Sequence, residues 1–185
     1  MINGDMQIKR LCLFAILSFP VLLGCGLEQA TREEQKPSAK VAEEAAVLHL
    51  DHAQPKLPTM RLFLADKTVT AELARSVREI ATGMMFRESM GENEGMLFVF
   101  NAPHQTSFYM KNTLLPLTCA YIGPDGRILE LHDMEPLDES SIPAQSTNVQ
   151  FVLEMPQGWF KKQGIQVGTM IVSEKGPLKQ VLVGR

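Results

Sequence analysis

Hydrophobic and polar positions divide the chain into three stretches. The first is short and dense: Lys9 and Arg10 precede Leu11 to Leu23, which is apolar but for Ser18 and Pro20. A helix of about 13 residues spans roughly 20 Å, well short of the ~30 Å hydrocarbon core of a bilayer. The stretch therefore reads as the apolar region of an export signal over residues 1–24, in preference to a retained transmembrane helix. The second stretch, Gly26 to about Leu57, carries Glu28, Arg32, Glu33, Glu34, Lys36, Glu43 and Glu44, with prolines at 37, 55 and 58 and no aromatic residue. It buries too little apolar surface to offset its ordering entropy. It reads as a flexible tether over 25–57, with a reach on the order of 30 Å.

From Thr59 the pattern becomes that of a folded domain, assigned to 58–185. Met60, Leu62 and Leu64 alternate with Arg61, Phe63 and Ala65, which predicts a strand; Asp66-Lys67 predicts a turn and Thr68 to Leu73 its hairpin partner. Ser76 to Met85 has helical spacing, with Val77, Ile80, Ala81 and Met84 on one face. Gly95 introduces the apolar run Met96 to Phe100, and further strands are predicted at 107–110, 117–122, 127–134, 149–155 and 169–173. Pro124-Asp125-Gly126 makes a hairpin turn, and Trp159 to Gln163 a short helix closed by Gly164. The predicted class is α+β: a small mixed, largely antiparallel, barrel-like sheet with two short helices.

The signal ends in Leu22-Leu23-Gly24-Cys25, an aliphatic residue, a tolerant position, a small residue and a cysteine. The four resemble a lipobox. The resemblance implies that Cys25 receives a diacylglyceryl group, that a dedicated peptidase cuts after Gly24, and that the acyl chains hold the mature chain to a membrane. An ordinary signal peptide with a chance cysteine is the plainer alternative. Gly26 stands where some lipoproteins carry a retention aspartate, which points to the outer membrane of a two-membrane cell. Loss of Cys12 with the signal and lipidation of Cys25 leave Cys119 alone, so the mature domain has no internal disulfide. A net charge of -3 offers no nucleic-acid footprint.

Several ordered motifs carry a second resemblance. They are Thr82-Gly83-Met84-Met85-Phe86-Arg87, Gly95-Met96-Leu97-Phe98-Val99-Phe100, and Phe108-Tyr109-Met110-Lys111-Asn112-Thr113-Leu114-Leu115-Pro116-Leu117. Asp125-Gly126-Arg127-Ile128 and Phe151-Val152-Leu153-Glu154 with Gly158 follow. Together they resemble the domain-of-unknown-function 192 family over about Thr59 to Ser173. Met84 stands where leucine is common in that family, Tyr109 where tryptophan is, and Thr118 where aspartate is. The resemblance implies a small mixed barrel-like fold, frequent export or tethering, and no established activity.

Candidate chemistry is sparse. Lys111-Asn112-Thr113 fits a structural turn, because Asn tolerates left-handed backbone and Thr bonds nearby backbone. It also fits a polar rim where Lys111 and Asn112, joined by Arg87, meet a ligand. Trp159 fits either a stacking surface for a sugar or peptide ring or a core position. Met84, Met85, Met96, Met110 and Met134 have the softness for Cu(I) but no compact ligand spacing, and core filling is the simpler role. Cys119 sits in an apolar strand with no linked histidine, and reads as an inert thiol. Glu130, Asp133, Glu135, Asp138 and Glu139 lack the spacing of a calcium loop. No cofactor or metal is expected. The favoured reading is a non-catalytic accessory module, lipid-anchored on the extracytoplasmic side of the cell envelope and binding a glycan, peptide or protein there. The alternative is an enzyme acting on envelope material, with Lys111, Asn112 and Glu154 gathered by folding.

Overall fold

The computed structural model describes residues 48–184; the expected signal, Cys25 and most of the tether lie outside the described residues. Ten strands form in chain order: β1 (Thr59–Leu64), β2 (Lys67–Ala74), β3 (Glu94–His104), β4 (Ser107–Phe108), β5 (Leu117–Ile122), β6 (Ile128–Met134), β7 (Ile142–Pro143), β8 (Val149–Pro156), β9 (Ile171–Ser173) and β10 (Gly176–Pro177). Three short helices accompany them among the described residues: α1 (Val77–Thr82), α2 (Trp159–Lys162) and α3 (Leu178–Leu182). None of the described helices is long and apolar enough to cross a membrane.

Eight strands make one sheet in the order β10-β9-β1-β2-β3-β8-β5-β6, and β4 pairs with β7 apart from it. Every pairing is antiparallel except β2 with β3. A parallel pair needs a crossover, and α1 with the loop after it supplies one. The sheet is mixed as expected, but it is not closed into a barrel. Its β6 side meets the β9 side through the isolated bridge Arg127↔Met170, with the Gly168 N–H donating to the Ile128 carbonyl beside it, and no ladder forms among the described residues. There Gly126 approaches within a Cβ's reach of the Ile171 carbonyl, 2.6 Å from where that atom would stand.

The central strands explain the two-sided core. β5 is buried at all six positions and β8 at all but its last, so both of their faces are covered. One face packs aliphatic side chains of β1, β2 and β9 with Leu97, Phe151 and Leu153, closed by Trp159 and Phe160 of α2 and by Leu178 and Leu182 of α3. The opposite face carries Met96, Phe98, Cys119, Tyr121 and Val152, covered by Met84, Met110 and Ile142 from the connecting segments.

Local details depart from the sequence reading in physical ways. The first hairpin turns at Ala65-Asp66, because Leu64 pairs with Lys67 and Ala65 adopts φ 52. Helix α1 stops at Thr82 and does not reach Met85, since Gly83 leaves helical geometry at φ 48. Its start is fixed by a capping box: Ser76 Oγ accepts from the Glu79 N–H, and the Glu79 carboxylate accepts from the Ser76 N–H. Val77 points outward instead of lying on the packed face. Helix α3 was not anticipated; Leu178 and Leu182, four apart, anchor it. Ahead of β1, Gln54 is buried and donates to the Gly83 carbonyl at 2.9 Å, laying the end of the expected tether against α1.

Candidate functional site

The second face of the sheet holds a row of reactive side chains. Register places Met96 of β3 and Cys119 of β5 opposite Glu154 of β8, and His132 of β6 opposite Cys119. Directly paired residues share a face, so Glu154 points into the methionine- and aromatic-rich core. Gly95 permits this approach of β3 to β8, since a Cβ there would lie 2.5 Å from the Glu154 carbonyl oxygen.

Glu154 also lines a cavity of about 240 Å³ whose other walls include Phe98, Phe100, Phe108, Tyr109 and Met85. The Phe98 and Phe108 rings meet edge to face with centroids 4.9 Å apart. Glu154 is only 4% exposed, and its Oε2 has no hydrogen-bond partner among the described residues. Burial alone pushes the carboxyl up to about 8, so at neutral pH it is a protonated acid in an apolar chamber. An unpaired buried polar group costs about 1–3 kcal/mol, which marks the position as one not chosen for stability.

Its neighbours are not nucleophiles. Burial, then the Glu154 charge, raises the Cys119 thiol to about 12. Burial also raises Tyr121, whose hydroxyl donates to the Ile142 carbonyl. Glu130 is the contrast on the same side: burial works against its charge, yet the N–H groups of Gln145 and Ser146 and the ring of His132 hold it below the ordinary range.

The loop over the cavity is strained. Phe86, Asn112 and Leu137 all have positive φ, at 61, 54 and 62. They are linked: the Phe86 N–H donates to the Asn112 carbonyl at 2.8 Å, and the Leu137 N–H to the Thr113 carbonyl at 3.0 Å. Left-handed backbone costs a residue with a Cβ about 1–2 kcal/mol, and Tyr109 and Thr113 of this same loop line the cavity.

The four expected ligand-binding residues do not share a cleft. Trp159 is 3% exposed in the first core, and its indole N–H donates to Asn93 Oδ1 at 3.0 Å. It belongs to the opposite face because α2 closes that core. Arg87 lines a separate cavity of about 410 Å³, where its guanidinium donates to Glu72 at 3.0 Å and to the Pro55 carbonyl. Asn112 serves the backbone turn, and neither it nor Lys111 lines the Glu154 cavity. Among the described residues no three His, Cys, Asp or Glu side chains converge as a metal site. The aromatic wall was missed in the sequence. Its one signal was an acid set inside the apolar run Phe151 to Met155.

Fold and site together define a small mixed-sheet α+β domain in which, among the described residues, one buried carboxyl lines a largely apolar cavity. The chain belongs to the domain-of-unknown-function 192 family, DUF192, described as Uncharacterized ACR, whose profile matches residues 60–173. A crystal structure from Sinorhizobium meliloti, described as a candidate transcription regulator, is similar at 31% identity and TM-score 0.62, covering 65% of this chain and 98% of that one. A protein of unknown function from Novosphingobium aromaticivorans is similar at 32% identity and TM-score 0.59, covering 65% and 89%. No curated protein matches the chain.

Proposed function

We propose that this domain is a non-catalytic binding module, presented on the outer side of a membrane by a lipid on Cys25, and that the Glu154 cavity receives its ligand. The single observation that carries the reading is a buried carboxyl on the lining of an aromatic-walled cavity, its Oε2 enclosed and unpartnered among the described residues. Binding pockets combine apolar walls with a few convergent polar groups, and here Glu154 is the acidic one, with Thr82, Thr106, Ser107 and Thr113 also on the lining. The Leu22-Leu23-Gly24-Cys25 pattern supports the anchor. The enzyme alternative lacks a second reactive group: Lys111 and Asn112 stand off the cavity, and the Cys119 thiol stays protonated. Clustered positive charge, which a DNA-binding role would call for, has no support in 18 basic against 21 acidic residues.

The test uses three probes with one tail and different heads: butylamine, butanol and butyric acid. Methyl signals of Met84 and Met85, which line the cavity, are followed by NMR in the full chain. At least one probe should shift both signals, and Glu154→Leu should abolish the shift while the domain stays folded. Silence toward all three would remove the binding reading. For the anchor, Cys25→Ser should stop cleavage after Gly24 and remove the lipid mass from the chain; normal processing of the variant refutes it.

A further inference from the structure

We infer that the ligand group seated against Glu154 is an organic ammonium, a cationic amine carried on an apolar body. The inference rests on the binding reading above and narrows it to one chemistry. Two independent features of the cavity converge on a cation. The first is the wall: Phe98, Phe100, Phe108 and Tyr109 enclose the space. Aromatic faces carry negative potential, and rings grouped around one space are the arrangement that holds alkylammonium groups, with gains of about 0.5–2 kcal/mol per contact. The second is Glu154, the one carboxyl on the lining, itself buried and with Oε2 unpartnered among the described residues. A carboxylate there supplies the compensating charge that aromatic rings alone lack.

The cavity also lacks what an anionic ligand would require. No lysine or arginine lines it, so a carboxylate or phosphate head would meet an acid and aromatic walls with no counter-charge. Arg87, the nearest candidate in sequence, is committed to Glu72 in the other cavity. A neutral head could bond Glu154 and the Thr82, Thr106, Ser107 and Thr113 positions on the lining, but would leave the ring quadrupoles unused.

Seating an ammonium ionises Glu154. One proton leaves the carboxyl for solvent, and an ion pair forms in its place. The groups facing Glu154 do not take up that proton themselves. On β3 the opposite residue is Met96, which does not titrate, and on β5 it is Cys119, whose thiol is pushed up to about 12. Tyr121 of β5 is likewise raised, and the Glu130 and His132 side chains of β6 are bonded to each other at 3.0 Å. Release to solvent makes affinity for an ammonium rise with pH. Below pH 8 the dissociation constant should fall about tenfold for each unit of pH, levelling above it.

The deciding experiment titrates the full chain with butylammonium and, separately, with butanol at pH about 6, 7, 8 and 9. Butylammonium should bind at least tenfold tighter than butanol at the highest pH, and its affinity should climb toward pH 8. Glu154→Gln should erase both the preference and the slope. Phe108→Ala, which removes a half-buried ring and leaves the strand core intact, should weaken butylammonium roughly threefold or more while leaving the slope in place. Equal binding of the two probes, or affinity that drops as pH rises, overturns the ammonium assignment and leaves a ligand cavity of another class. No binding by either probe, with butyric acid also silent, overturns the cavity reading itself.

Discussion

The two faces of one sheet are built to different rules. The first face is mostly aliphatic and complete: Leu62, Leu64, Leu97 and Leu153 are unexposed, Phe151, Trp159 and Phe160 pack among them, and two helices close it. The second face uses methionines and aromatic rings, includes a carboxyl and a thiol, and is roofed by connecting segments with left-handed backbone at three non-glycine positions. Strands β3, β5 and β8 serve both faces, so backbone propensity cannot account for the contrast. What differs is the side chain at alternate positions, and the second face gives up packing and polar satisfaction where the first does not. Strain and unpaired polar groups persist where the surrounding structure over-determines them and function uses them.

The sharpest way to break this contrast is pH. Folding raises the Glu154 carboxyl from its ordinary 4.5 to about 8, so between those values the folded protein keeps a proton that the unfolded chain has released. The stability this contributes is whole below pH 4.5 and drains away as pH rises through 8, by up to about 5 kcal/mol. Glu130 runs the other way: its lowered carboxyl contributes stability above the ordinary carboxylate range that is lost on acidification, outside the Glu154 window. Urea unfolding should therefore show a fall from about pH 5 to pH 9 that Glu154→Gln removes. A flat wild-type profile across that range would mean the carboxyl is solvated, and the two faces would no longer differ in kind.

Truncation sharpens the same contrast. Phe151, fully buried in the first core, should cost about 3–5 kcal/mol as alanine, at any pH. Phe108, half-buried over the cavity, should cost less than half of that, because solvent already reaches one side of its ring. If Phe108→Ala proves as damaging as Phe151→Ala, the second face is an ordinary core and its cavity an incidental void.

Much of the first face was legible in the chain, and little of the second. Alternation in Met60, Leu62 and Leu64 located β1, the dense run at Leu117 to Ile122 bounded β5, and Gly164 at φ 69 closed α2 where a C-terminal glycine was expected. These features are local, with periods of two residues or single conformational requirements. The Glu154 site is not local: it is assembled by strand register from β3, β5 and β8 and by a wall contributed from 98 to 109. Glu154 stood out only as an acid within an apolar strand, and the sequence could not say which face it occupied. Trp159 stayed open between binding surface and core for the same reason, and α2 turns it into the opposite core. The open sheet was also invisible, because closure depends on whether β6 and the segment before β9 form a ladder or, as here, a single bridge.

The smallest expected effect tests whether the strained loop is scaffold or contact. Asn112 holds φ 54 and offers its carbonyl to Phe86, and both facts concern backbone alone. Glycine accepts that conformation without a Cβ penalty, although it loses more entropy on folding, so Asn112→Gly should change stability by only a few tenths of a kcal/mol. Alanine keeps the Cβ and lacks the side-chain amide that eases left-handed geometry in asparagine, so Asn112→Ala should cost roughly 1 kcal/mol. Melting would resolve the difference as a few degrees. Butylammonium affinity measured well below the melting point should be alike in both variants and the parent. Should either variant lose affinity while its melting stays unchanged, then the Asn112 amide touches the ligand and the rim expected from the Lys111-Asn112-Thr113 motif belongs to the site after all.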